Sequence, residues 1–152
     1  MPSITPSYLY TLAAIITVAS LLVLSFIAYS NSISTLSEAT QLKNLIDYVA
    51  AKGTELLTFA LATNATSEVY IQMPTTIGNK QYWLRLRNNS ASAWLEGGFG
   101  NTPMEGTDLY AYLPKEASAT GIYVGGYGAA YLKCSLVADV PRLYLSSSSH
   151  GD

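Results

Sequence analysis

Residues 8–29, YLYTLAAIITVASLLVLSFIAY, contain no charge, no glycine and no proline. The first formal charge in the chain is Glu38. At about 1.5 Å per residue a helix of this run spans roughly 33 Å, the thickness of a bilayer's hydrocarbon core. Its apolar residues keep to no single stripe. Leu9, Leu12, Ala13, Ile15, Ile16, Val18, Leu21, Leu22, Val23, Leu24, Phe26 and Ile27 cover every side of such a helix. A helix apolar all round requires lipid or other protein around it.

The flanks narrow the choice. The preceding segment, MPSITPS, has no Lys or Arg, and no small-residue cleavage site follows the run. An ordinary secretory signal has both, and a shorter apolar region. No basic residue precedes Lys43 to orient a conventional anchor. One reading is that a basic leader has been removed ahead of the apolar segment.

Thr5 is suited to N-cap and Pro6 to the first helical position. No proline or glycine occurs from Ser7 to Lys52, so the helix is expected to continue past Tyr29. There the pattern becomes amphipathic: Leu42, Leu45, Ile46, Val49, Leu56, Leu57, Ala60 and Leu61 recur at helical spacing. Lys43 and Asp47 form an i,i+4 pair on the polar side. Gly53 costs about 1 kcal/mol relative to Ala inside a helix, and marks a bend or a close approach. Thr63-Asn64 supplies the stop. One helix over about 6–62 is predicted.

Beyond it the period drops to two. Strands are expected over 69–73, 81–87, 91–96, 109–113, 121–124, 129–138 and 142–145, with 97–103 as a loop and a turn at 139–141. Trp83, Arg85 and Arg87 alternate with Tyr82, Leu84 and Leu86, which places Arg87 at an exposed position tolerant of lysine. The chain is therefore expected to be α+β. Residues 1–62 form the N-terminal hydrophobic, then amphipathic, helix. Residues 63–152 form a β-rich domain, a small antiparallel sheet packed on the helix's C-terminal half.

The chemical inventory is poor for an enzyme. His150 is the only histidine and lies in a tail expected to fray, which removes the base of a Ser/His/Asp arrangement and a His-based metal site. Cys134, also alone, sits in an alternating run and reads as a small core residue, with an intermolecular disulfide as the alternative. Glu105 and Asp108 are the closest acidic pair in the domain and read as solvated surface. GGFG at 97–100 and GGYG at 125–128 lack the Lys-Ser/Thr of a phosphate loop and read as turns with an aromatic plug. No cofactor is expected. A net charge of −2 gives nucleic acid no purchase as the main partner. Asn64-Ala65-Thr66 and Asn88-Asn89-Ser90 are N-glycosylation sequons at expected turns.

This layout, an uncharged N-terminal helix running into an amphipathic helix and then a β domain, resembles the type IV pilins, and more closely the archaeal pilins and archaellins. The resemblance covers the organisation of residues 8–62 and the β-rich remainder. The glutamate that bacterial members carry at the fifth mature position is absent, since Thr5 stands there if Met1 is the mature start. The resemblance implies a basic leader cut by a leader peptidase and a stay in the cytoplasmic membrane before assembly. It further implies a pilus assembly machinery and a homopolymer whose helices bundle in the core of an extracellular filament.

The expected function is thus a filament subunit for adhesion or surface attachment, a structural glycoprotein and not an enzyme. Leu9, Leu12, Ile15, Ile16, Leu21, Leu22, Leu24, Phe26 and Ile27 are its expected assembly residues. The alternative is a single-pass membrane-anchored minor pilin, or an archaellum-associated binding module.

Overall fold

The computed structural model describes residues 6–114 and 117–148. One unbroken helix, α1 (Pro6–Thr63), carries the first 58 of them. It begins at the proline suited to that place, while Thr5 lies outside the described residues. It ends where Asn64 turns into the left-handed region at φ 53°, a helix stop that asparagine tolerates better than most residues. The polar stretch at Ser30–Ser34 does not interrupt it, because none of those residues removes an N–H or forces a backbone break.

The chain divides into two compact units, residues 1–37 and 38–152. The second contains the amphipathic part of α1 and a seven-stranded sheet. Its strands are β1 (Ser67–Ile71), β2 (Tyr82–Asn88), β3 (Ala93–Phe99), β4 (Tyr110–Leu113), β5 (Ser118–Val124), β6 (Ala130–Val137) and β7 (Val140–Ser147). All seven expected strands are present, with ends shifted by a few residues. The spatial order is β1-β6-β7-β5-β2-β3-β4. Every neighbouring pair is antiparallel except β5 and β7, which run parallel. The exception departs from the all-antiparallel sheet expected, and it arises because the β6–β7 hairpin is inserted between β1 and β5. That hairpin turns on Ala138 and Asp139, both at positive φ, the geometry of a tight two-residue turn whose twist matches the strands. The expected turn at 139–141 thus begins one residue late, because Ala138 carries no sequence signal for positive φ.

One stripe of α1 and one face of the sheet make the core. Leu42, Ile46, Val49, Ala50, Leu57 and Ala60 are buried together with Leu84, Leu95, Leu132, Leu143 and Leu145. Gly53 marks a close approach: a Cβ there would stand 2.9 Å from Leu143 Cδ2, so the missing side chain is what lets the sheet come in. Cys134 is fully buried in this core, and burial pushes its thiol up, which matches the core reading.

Two expectations about the sheet fail. The GGFG segment is no loop, since β3 runs through Phe99. A Cβ at Gly97 would press on Ile46 and Leu84, and one at Gly98 would stand 2.8 Å from the Trp83 ring. These glycines are read from sequence as turn formers, but they are clearances on both faces of a strand. GGYG does lie in a turn, although Tyr127 is exposed and plugs nothing. Trp83 and Arg87 also depart from simple alternation. Trp83 points away from the helix yet is fully buried, covered by Arg85, whose guanidinium carbon lies 5.6 Å from its ring centre. Arg87 is not a free surface position: it bonds Glu105 at 2.6 Å and stacks 5.7 Å from the Trp94 ring. Lysine could reproduce the charge but not that planar fork.

The parallel pair depends on Gly121. It holds φ at 121°, and a Cβ would run into the backbone carbonyl oxygen of Leu145 on β7. Gly121→Ala should therefore destabilise the protein by about 3 kcal/mol or more, as backbone strain and overlap add. Gly106→Ala has open space at its Cβ and should lose only about 1 kcal/mol. Thermal unfolding in detergent separates the two; equal shifts would show that β5 and β7 yield easily.

Candidate functional site

The feature that calls for a partner is the first part of α1. Every residue from Pro6 to Ser37 is exposed. The nine expected assembly residues lie along it, from Leu12 at 44% exposure to Phe26 at 71%. Because they point to all sides of the helix, no single neighbour can cover them. Among the described residues this is the one helix long and apolar enough to cross a membrane, and none of its most apolar window is buried within the chain.

Five hydroxyls on this segment are already satisfied within the helix. Thr11 donates to the Ser7 carbonyl, Thr17 to Ala13, Ser20 to Ile16, Ser32 to Ala28 and Thr35 to Asn31, at 2.8–3.0 Å. A Ser or Thr bonded four residues back presents a methyl or methylene to the outside and asks nothing of water. Sequence reading counts these residues as polar, but in the helix they leave a dry exterior. Tyr8 and Tyr10 stand near one end of the run and Tyr29 at the other, all exposed. Tyrosine suits the border between an apolar and a wet layer.

Exposed apolar groups do not stop where a bilayer would. Ile33 and Leu36 follow, and within the second unit Tyr48, Phe59 and Leu61 lie on the side of α1 that the core does not use. The periodicity alone assigns Leu61 to the packed stripe, yet it faces out.

Glu105 and Asp108 are both exposed, in line with the surface reading of that pair. Glu105 is drawn into a cluster on the outer face of the sheet. Arg85 on β2 donates from Nε to Glu96 Oε1 at 2.6 Å, and from its terminal nitrogen to the carbonyl of Met104 at 3.3 Å. Arg85 and Arg87 both reach Glu105, while Glu96 also accepts from the Trp94 indole at 3.1 Å. Cross-strand register puts Arg85 opposite Glu96 and Arg87 opposite Trp94. The result is a clamp that fastens the β3–β4 connection to the sheet. Among the described residues no three His, Cys, Asp or Glu side chains converge as a metal site would require. His150 and the end of the tail lie outside the described residues. Of the two sequon asparagines, Asn64 is exposed just past α1, and Asn88 is exposed at the end of β2 with its Oδ1 accepting from the Ala119 amide at 3.4 Å.

A long N-terminal apolar helix followed by a sheet is a pilin-like architecture. No family model, curated protein or solved structure matches the chain.

The clamp has a pH signature. The Glu105 carboxyl is held below its ordinary value, chiefly by its hydrogen bond from Arg87 and further by the charge of Arg85. Its contribution to stability is complete above the ordinary value of 4.5 and is lost as pH falls through the lowered folded value. Glu105→Gln should lower the melting temperature slightly near neutrality and leave it unchanged at the acid end. A pH series of melting curves checks this; parallel curves for the two proteins would remove Glu105 from the clamp.

Proposed function

We propose that this chain is the structural subunit of an extracellular filament of the type IV pilus kind. It polymerises with copies of itself through the first part of α1. The observation that carries the proposal is an uncharged helix, exposed on every side, that continues without a break into the β unit. Fully covering a Leu, Ile, Val or Phe side chain contributes about 1.5–3 kcal/mol, so a dozen amount to roughly 20 kcal/mol of gross driving force. A bundle of identical helices supplies that cover from several directions, and a contact repeated by rotation and translation without closing builds a helical polymer.

Tyr48, Phe59 and Leu61 support bundling over simple anchoring. A bilayer accounts for about 20 helical residues and leaves these apolar groups without cover. In this reading the chain waits in the cytoplasmic membrane, is trimmed by a leader peptidase, and passes to an assembly machinery that stacks it into a surface filament for attachment. Asn64 or Asn88 carries its sugars. The second reading, a minor pilin or archaellum-associated module that stays anchored in lipid, draws on the tyrosines at both ends of a bilayer-length run.

Two expected outcomes test these statements. Ile16→Asp or Leu24→Asp places an unpaired charge in a dry contact, so electron microscopy should find filaments reduced at least tenfold. Abundant normal filaments from Ile16→Asp would leave the helix as a lipid anchor only. Intact-mass measurement of the native protein should exceed the polypeptide mass and return to it in the Asn64→Gln/Asn88→Gln variant. A native mass equal to the bare chain would remove the glycoprotein assignment.

A further inference from the structure

The outer face of the sheet holds a groove that the filament reading leaves unused. β5 and β7 pair from Ser118–Arg142 to Gly121–Leu145, where their ladder stops. Both strands run on, β5 to Val124 and β7 to Ser147. At this split lies an open groove of about 790 Å³, lined by Tyr70, Tyr131, Tyr144, Thr120, Ser146 and Ile122 among others. The volume falls within the range of ligand clefts.

Its walls are aromatic, hydroxylated and electrically quiet. Tyr70 and Tyr144 are 60% and 47% exposed, with no aromatic ring stacked over their free faces from outside. The Tyr70 and Tyr131 rings are tilted by 41° with centroids 5.0 Å apart. Tyr131 is fixed by donating its hydroxyl to Glu68 at 2.6 Å. Arg85 is the one charged residue among the described residues of the lining, and Glu96 and Glu105 already hold it.

We infer that this groove binds a neutral oligosaccharide. A sugar ring presents a face of C–H groups and a rim of hydroxyls. Tyr70 and Tyr144 offer faces for the first, and Thr120, Ser146 and the tyrosine hydroxyls offer partners for the second. Among the described lining residues an anion would find only Arg85, already held by carboxylates, and a cation no carboxylate; Lys133 and Arg142 flank Tyr144 on the same face but outside the lining. A wholly apolar ligand would strip water from the hydroxyls without replacing it. Tyrosine and serine together are also a favoured pairing for recognition, since rigid rings supply area and small hydroxyls adapt. The inference does not depend on whether the chain polymerises.

The test uses the full chain in detergent, made in a host that adds no N-linked sugar. Intrinsic fluorescence is titrated with cellohexaose, mannohexaose, chitohexaose and maltohexaose, with polygalacturonate as the anionic comparison. At least one neutral hexasaccharide should give a saturable change. Tyr144→Ala and Tyr70→Ala should each weaken it about tenfold or more, while Tyr144→Phe, which keeps the ring, and Tyr127→Ala, outside the groove, should bind within about threefold of the parent. No saturable change from any neutral sugar at millimolar concentration overturns the inference, as does preference for polygalacturonate. Undiminished binding by a folded Tyr144→Ala protein overturns it too. A fall in the particle mass of the parent's assemblies on Tyr144→Ala, with no sugar effect, would instead make the groove a contact between copies.

Discussion

The structure depends on apolar surface that one chain cannot cover by itself. Residues 6–37 carry no charge, and hydroxyls such as those of Thr17 and Ser20 turn back onto the helix's own carbonyls. From Glu38 the same helix finds its cover within the chain, because one stripe is met by the sheet. The first formal charge is thus also the first buried residue of α1, held by Lys80 at 2.5 Å. A single element meets two requirements, and the change in its composition marks where one gives way to the other.

The parts that were legible in the sequence are those governed by local rules. The absence of glycine and proline gives the length of α1, and alternation gives all seven strands. The missed features depend on what lies across the sheet. Gly97 and Gly98 look like turn residues until Ile46 and the Trp83 ring are seen to occupy the space a side chain would need. Trp83 reads as exposed by period and is buried because Arg85 lies over it. The parallel β5–β7 contact has no local signal at all, since it follows from where the β6–β7 hairpin inserts. The exposed apolar residues of α1 could be named from sequence because an apolar run needs no tertiary information to stand out. The groove could not, because it forms where Tyr70 on β1 comes to lie beside Tyr131 and Tyr144 of the distant β6–β7 hairpin.

Charge is sparse, at 12% of residues, and the structure uses it sparingly but in groups. Arg85, Arg87, Glu96 and Glu105 cooperate on one face with two tryptophans between them. Such a network restrains the β3–β4 connection more than isolated surface pairs would, since each member has more than one partner.

The back-bonded hydroxyls of α1 have a consequence for how its surroundings can change. At Thr11, Thr17, Ser20, Ser32 and Thr35 the helix can leave one apolar medium for another without making or breaking a side-chain hydrogen bond. What then distinguishes the two media is fit. Lipid tails conform to any contour, whereas a protein neighbour gains only where its side chains enter hollows such as the one bordered by Ile16, Ala19, Ser20, Val23 and Leu24. The segment is chemically indifferent to its solvent and sensitive to the shape of what replaces it.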